Sequence, residues 1–192
     1  MARKKRIWDP DSFCHIVSRG NRRDALFYEE RDYRIFLHIL QEVNSEISFE
    51  LASCCLMTNH FHLLMRSSEQ STSKVMSMIN KRYADYYNTK NKFTGHVFER
   101  RFYDKIIGSP MGMLDVSRYI HLNPVEAGIV TNPESYKWSS YRYIMNTTTT
   151  PLLNMEVILD YFSGNKAEKR DKYQKFMMAE RGERDYLVEA GE

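Results

Sequence analysis

The sequence has no long apolar stretch, little cysteine and little net charge. No uninterrupted hydrophobic run approaches the roughly 18 residues that a membrane-spanning helix requires, so we expect no membrane association. The basic opening segment, MARKKRIWDPDSF, has no apolar stretch behind it and is not expected to act as a secretory signal. The cysteines are an odd set without metal-ligand spacing, which favours reduced thiols in a cytoplasmic protein: Cys14, Cys54 and Cys55.

The charges are distributed unevenly although the net charge of the 192 residues is only +3. Residues 1–23 and 66–105 are each net +5, whereas residues 24–65 between them are net −5. Folding could join the two basic segments into one surface suited to a polyanion such as nucleic acid. The alternative is that these charges only keep the surface soluble. With 42% hydrophobic and 28% charged residues, the chain has the composition of a globular protein.

The stretch MTNHFHLLM, residues 57–65, places two histidines one residue apart in an apolar run. Alternate residues of a β-strand face the same way, so His60 and His62 share one face of the predicted strand and the apolar residues share the other. Two imidazoles this close can bind one divalent metal through nitrogen. The pair lacks the third ligand that would identify such a site, so a half-exposed strand that happens to carry two histidines is the alternative.

The pattern along the chain predicts strands and helices in the order β–α–β–β–α–β–α. Strands are expected at 13–19, 49–57 and 60–66, with one or two more within 97–107. Helices are expected from 29 to about 45, from 71 to about 88, and from Pro110 with Ser109 as its N-cap. This order predicts an α+β fold, an antiparallel sheet with packed helices.

The chain is expected to form one main domain with a small appendage. Residues 1–146 are predicted to be this domain, and the polar residues 147–151 are predicted to be a linker. Residues 152–192 are predicted to be a C-terminal helical extension, with amphipathic helices at 152–162 and 166–180 and a charged tail.

The segment SRYIHLNPVEAGIV, residues 117–130, places Tyr119 and Asn123 four residues apart, hence on one face of a helix. An aromatic residue on a helix is more often part of a core than a catalyst, so position alone does not single out Tyr119. Pro124 disfavours helical geometry at the residue before it. This predicts a helix break at which Asn123 caps a second short helix, which Gly128 could end.

Several segments together resemble a known family. The two-histidine strand follows FCHIVSRGNRR and precedes NKRYADYYN, GHVFERRF, SRYIHLNPVEAGIV and YKWSSY. In these motifs and their order the chain resembles the HUH single-tyrosine transposases, specifically the group associated with repetitive extragenic palindromes (REP). The resemblance covers the main domain to about residue 145. It implies a ferredoxin-like HUH endonuclease core.

The resemblance also implies a chemistry. His60 and His62 would bind Mg²⁺ or Mn²⁺, Tyr119 would be the nucleophile, and Asn123 lies where related enzymes place an amide or similar ligand. The implied reaction cleaves and rejoins single-stranded, hairpin-associated DNA through a 5′-phosphotyrosine. A free phenol, with a pKa near 10, is only about 0.1% ionised at pH 7, a handicap of roughly 4 kcal/mol. A divalent ion would favour the phenolate and neutralise the phosphate charge that repels it.

DNA contacts are expected from polar residues in the two basic segments, because cations bind phosphates and fix the position of the strand. These candidates are Arg19, Asn21, Arg22, Arg23, Lys81, Arg82, Arg100 and Arg101. Nearby aromatic residues could stack on unpaired bases, although core packing is the usual role of such residues. His15, on the first predicted strand, could lie near this site, although a structural role is the first expectation.

Two other functions share part of this pattern. A metal-dependent phosphoesterase that activates water would use His60 and His62 but would not need Tyr119. A binding module for structured nucleic acid would keep the arginines and tolerate loss of the metal site. A rolling-circle replication nickase would use the same chemistry as the transposase. We expect a monomer, although related mobile-element enzymes form dimers.

Overall fold

The computed structural model describes residues 8–146 and 149–179. Four strands form one antiparallel sheet in the order β2-β3-β1-β4. The strands are β1 Cys14–Arg19, β2 Glu50–Met57, β3 His60–Arg66 and β4 Tyr103–Ile106. The six α-helices of the described residues are α1 Glu30–Glu46, α2 Thr72–Asn91, α3 Pro110–Glu126, α4 Tyr141–Met145, α5 Glu156–Leu159 and α6 Lys166–Met178.

Both faces of the sheet are covered. Phe61 and Leu63 of β3 pack into an apolar cluster with α1 and α2 on one face. Leu64, which points the other way, packs with α3 and with the helices that follow it. The predicted α+β fold, an antiparallel sheet with packed helices, is confirmed.

The helices start where the sequence predicts. Ser71 accepts a hydrogen bond from the backbone N–H of Lys74 at the start of α2. Ser109 accepts from Gly112 at the start of α3, and Pro110 is the first helical residue. No helix among the described residues is both long enough and apolar enough to cross a membrane.

Three local predictions differ from the structure. The helix expected at 152–162 is limited to α5, Glu156–Leu159. Only residues 103–106 of the segment 97–107 form a strand, although Phe98 makes an isolated bridge with Gly20. The helix break at Asn123 is wrong, because α3 continues through Pro124 to Glu126. Pro124 has no N–H to donate to the Ile120 carbonyl, and the helix continues for only two residues beyond it, where the Pro124 carbonyl accepts from the N–H of Ile129 as the helix closes.

Asn123 is therefore an interior helical residue and not a cap. The helix ends at Glu126, and Gly128 follows it with a left-handed φ of 67°. The backbone N–H of Gly128 donates to the carbonyl of Val125, as expected for a glycine that ends a helix.

The described part of the C-terminal extension packs on the same sheet face as α3. Asn154 donates its backbone N–H to the carbonyl of Leu51 on β2. Tyr173, Phe176 and Met177 of α6 are fully buried in the cluster that also holds α3 residues. Residues 147–148 of the predicted linker and 180–192 of the predicted extension lie outside the described residues.

A buried polar network joins α6 to α3 and the sheet. His121 of α3 is bonded through Nδ1 to the Tyr173 hydroxyl and through Nε2 to the Ser140 hydroxyl, both at 2.7 Å. The Tyr173 hydroxyl also contacts Ser117 Oγ at 2.8 Å, and Ser117 contacts Ser53 of β2 at 2.7 Å. Because each buried polar atom in this chain of contacts has a partner, the network fixes how α3 lies on the sheet.

Complete burial lowers the pKa of His121 to about 3, well below its ordinary value of 6.5. On acidification the unfolded chain therefore binds a proton at His121 that the folded chain does not. The contribution of neutral His121 to the free energy of unfolding is therefore fully present above pH 6.5 and is lost as the pH falls towards 3.

We predict that His121→Gln reduces the pH dependence of the free energy of unfolding. Between about pH 6.5 and 4 the slope should become shallower by up to about 1.4 kcal/mol per pH unit, the contribution of one proton. Urea unfolding at several pH values measures this slope. The control is His96→Gln, which replaces an exposed histidine and should leave the slope unchanged. An identical slope in wild type and His121→Gln would contradict the prediction.

Candidate functional site

The two histidines of β3 lie on the sheet face that α3 covers. Their rings are nearly perpendicular, with centroids 4.9 Å apart. In the strand register, His60 is opposite Arg19 of β1, and His62 is opposite Val17. Directly paired residues of an antiparallel sheet point to the same face, so Arg19 joins the histidines on this face.

Helix α3 brings Tyr119 and Asn123 to the histidines. The Tyr119 ring is perpendicular to that of His62, with centroids 5.4 Å apart. Its side chain is 44% exposed, unlike most aromatic residues of the chain, which lie in the core. Asn123 is buried and hydrogen-bonded to the His60 side chain. The predicted shared face of Tyr119 and Asn123 therefore lies against the two histidines.

Burial keeps both imidazoles neutral near pH 7. Burial, followed by the nearby His60, His15 and Arg19 side chains, holds the pKa of His62 well below its ordinary value. Burial and the Arg19 charge lower the pKa of His60, and the hydrogen bond between His60 and the Asn123 side chain offsets part of that decrease. A neutral imidazole has a free lone pair, which is the state that a metal ligand requires.

The hydrogen bonds of the two rings differ. His60 Nδ1 contacts Asn59 Oδ1 at 2.8 Å, and His62 Nδ1 contacts His15 Nε2 at 3.0 Å. His62 Nε2 is buried and has no hydrogen-bond partner. An unpartnered buried nitrogen costs free energy unless a ligand satisfies it.

The residues present fit a divalent cation. Two neutral imidazoles and the Asn123 amide are suitable donors, and the unpartnered Nε2 of His62 would gain a partner. Within residues 8–146 and 149–179, no group of three His, Cys, Asp or Glu side chains could hold a metal ion. A metal here would therefore depend on the amide or on substrate oxygens in addition to the histidines.

A cavity of about 290 Å³ opens in front of Tyr119. Arg19 and Arg100 place positive charge in its wall, and Glu99 adds one carboxylate. The remaining lining residues are Val17, His60, His62 and Tyr103. Glu99 pairs with Arg100 at 3.0 Å, so the wall of the cavity keeps a net positive charge beside the exposed Tyr119, which favours an anion there.

A larger cleft of about 630 Å³ adjoins this cavity and shares Glu99 and Arg100 with it. It lies between α2 and residues 95–102. Four of the sequence-predicted DNA contacts line it: Asn21, Lys81, Arg100 and Arg101. Lys81 also pairs with Asp85 at 2.8 Å, in an exposed ion pair of the kind that contributes little to stability.

Of the other four predicted DNA contacts, Arg19 lines the smaller cavity and three lie elsewhere. Arg22 and Arg23 are exposed at the turn after β1, with left-handed φ values of 54° and 65°. The Asn59 side-chain amide donates to the Arg23 carbonyl at 3.2 Å and so supports that turn. Arg82 lines neither cavity, and both Glu46 carboxylate oxygens of α1 accept hydrogen bonds from its guanidinium at 2.8 Å.

His15 was expected first to be structural, although a position near the site was left open, and Asn59, Glu99 and Tyr103 were not predicted at the site. His15 lies on the same sheet face as His62, with stacked rings 5.3 Å apart. Tyr103 of β4 is opposite Val17 and therefore also faces the cavity. The two-residue alternation of side chains along β1 and β4 is the sequence signal that places His15 and Tyr103 on this face. It could not be used before the strand order was known.

Comparison with known proteins identifies the family. A family model described as "Transposase IS200 like" matches residues 11–123, more than half of the chain. The chain belongs to the IS200-like transposase family. A search of curated proteins finds no match for this transposase.

A solved structure shares the transposase fold. It is described as the REP-associated tyrosine transposase bound to a REP hairpin. It superposes with a TM-score of 0.65 over 80% of this transposase and 98% of that chain, at 17% sequence identity. The expected membership in the single-tyrosine transposases is thus supported by the IS200-like family, and the expected fold is that of the REP-associated transposase. Family membership gives this transposase a role in DNA transposition, with DNA as its substrate.

Proposed function

We propose that the protein cleaves and rejoins single-stranded DNA through a covalent bond to Tyr119. The observation that carries this proposal is the position of Tyr119, an exposed tyrosine on a rigid helix, perpendicular to His62 and beside a cavity with two arginines. A tyrosine in the core could not reach a phosphate. An exposed tyrosine without cationic side chains beside it would have no group to hold the phosphate in place.

In the proposed reaction the Tyr119 hydroxyl oxygen attacks the scissile phosphorus. An O–P bond to tyrosine forms, and the bond from phosphorus to the 3′ oxygen breaks. The phenol proton passes to solvent, and the leaving oxygen takes up a proton to become a 3′-OH. The 5′-phosphate stays on the protein, so a later attack by a 3′-OH can rejoin the strand without an external energy source.

His60 and His62 would hold Mg²⁺ or Mn²⁺, with the Asn123 amide as a further ligand. When bound, such an ion neutralises charge on the non-bridging phosphate oxygens. The preference for Mg²⁺ or Mn²⁺ rests on the family, since two imidazoles alone would also suit zinc. Arg19 and Arg100, in the cavity wall, add fixed positive charge at the same phosphate.

The DNA strand would run from the cavity into the adjoining cleft. Lys81, Arg100 and Arg101 supply phosphate contacts along that path, and Asn21 supplies a polar contact. Arg22 and Arg23 would extend the same surface at the turn after β1. We include hairpin-associated DNA as the substrate because the structural neighbour is described as bound to a REP hairpin. We further propose that the protein acts as a cytoplasmic monomer.

We predict that a protein–DNA adduct forms with single-stranded DNA that carries a hairpin from the flanks of the gene. The adduct should require Mn²⁺ or Mg²⁺, and it should be absent in EDTA and in Tyr119→Phe. The readout is a denaturing gel, on which the covalent complex migrates more slowly than the protein. Tyr103→Phe is the matched control, because Tyr103 is the other exposed tyrosine at the cavity and should not be needed for the adduct.

Two outcomes would contradict the proposal in different ways. Cleavage without an adduct, unchanged in Tyr119→Phe, would indicate a phosphoesterase that uses water. Tight binding of the same hairpin without cleavage in Mn²⁺ would indicate a nucleic-acid-binding module.

A second prediction concerns the charged surface. Arg100→Gln should weaken DNA binding for all sequences and reduce the slope of log K against log salt concentration by about 0.7, the contribution of one phosphate contact on a single strand. Arg82→Gln should leave this slope unchanged, because Arg82, unlike Arg100, lines neither the cavity nor the cleft. Fluorescence anisotropy at several salt concentrations measures both slopes. An equal reduction of the slope in Arg100→Gln and Arg82→Gln would contradict the proposed DNA path.

A further inference from the structure

His15 is a buried titratable residue that the proposed reaction does not use. It lies on β1, 9% exposed, with its ring stacked on that of His62. The contact is a hydrogen bond of 3.0 Å between His15 Nε2 and His62 Nδ1. His15 also packs edge-on against Tyr119, with ring centroids 5.9 Å apart.

Only one proton can lie between these two ring nitrogens, so the contact has two possible forms. In the first, His62 donates from Nδ1 and His15 accepts. In the second, His15 donates and His62 accepts. A neutral imidazole carries one N–H, so the form of this bond decides the state of the other nitrogen of His62.

The two forms have opposite consequences for a cation. In the first, His62 Nε2 has a free lone pair and can ligate. In the second, His62 Nε2 carries the proton and cannot. Because that nitrogen is buried without a partner, the second form would leave an unsatisfied N–H donor at the site.

His60 shows the same arrangement with a less ambiguous partner. Its Nδ1 contacts Asn59 Oδ1 at 2.8 Å, while the Asn59 amide nitrogen donates to the Arg23 carbonyl. An amide oxygen can only accept, so His60 must donate from Nδ1. The lone pair of His60 is therefore on Nε2.

We propose that His15 is a positioning residue that accepts the Nδ1 proton of His62 and so keeps the Nε2 lone pair of His62 available to a divalent cation. Asn59 does the same for His60. The inference rests on the proposed metal site and adds the residues that fix the tautomer of each ligand. Loss of such a partner typically costs 10- to 100-fold in metal affinity.

The test measures Mn²⁺ binding without DNA, by the electron paramagnetic resonance signal of free Mn²⁺. His15→Phe keeps an aromatic ring beside His62 and Tyr119 but removes the acceptor. We expect it to bind Mn²⁺ about 10- to 100-fold more weakly than wild type. His15→Gln supplies an amide oxygen as acceptor and should recover most of the affinity. Arg82→Gln should bind Mn²⁺ as wild type does, since Arg82 lines neither cavity and is bound by Glu46.

A second measurement reads the tautomer directly. Long-range ¹H–¹⁵N spectra of the metal-free wild type should show His62 and His60 protonated at Nδ1. Protonation of His62 at Nε2 would overturn the proposal, and so would unchanged or tighter Mn²⁺ binding by His15→Phe. The wild-type spectrum decides the matter if His15→Phe does not fold.

The outcomes separate this inference from the proposed function. Mn²⁺ binding by wild type that does not depend on His15 would overturn the positioning role and leave the proposed metal site intact. Absence of Mn²⁺ binding by wild type would overturn both. Loss of the DNA adduct in Tyr119→Phe tests the nucleophile alone, because it does not depend on which tautomer His62 adopts.

Discussion

The two-residue period of β3 is the constraint on which the candidate site depends. One face of this strand must close the apolar core against α1 and α2, so the histidines can only point the other way. A shift of one residue would bury both imidazoles among α1 and α2 and expose Phe61. The pairing of β3 between β1 and β2 prevents such a shift, because every residue from His60 to Met65 has a defined partner on β1.

Much of the fold could be predicted from local chemistry. The serine caps of α2 and α3, the alternation in β3 and the spacing of apolar residues in α1 each depend on residues that are close in sequence. The pairing of Tyr119 and Asn123 on one helical face was predictable for the same reason. Their contact with His62 and His60 was not, because it depends on how α3 lies across the sheet. Only the family resemblance led us to expect that Tyr119 and Asn123 meet the two histidines.

The errors also have physical causes. The effect of Pro124 was overestimated because a proline disfavours helical geometry at the residue before it without forbidding it, and the local sequence does not show where the helix stops. The DNA contact of Arg82 stays a prediction, but charge counted along the sequence could not show that Glu46 of α1 pairs with it across the fold. The position of His15 beside His62 could be raised but not fixed, because nothing in the sequence shows that β1 is the neighbour of β3. The same limit applies to Asn59, whose partners lie on both sides of the turn.

The polar network around His121 has a consequence for the timing of assembly. The helix that carries Tyr119 is bonded through Ser117 to Tyr173, a residue 56 positions further along the chain. A ribosome therefore releases the tyrosine and both histidines well before the segment that fixes α3 in place. Until Tyr173 has been synthesised and has docked, Ser117 has only Ser53 as a partner and Nδ1 of His121 has none from this network. The nascent protein thus contains Tyr119, His60 and His62 before the segment that fixes α3 against the sheet has been made.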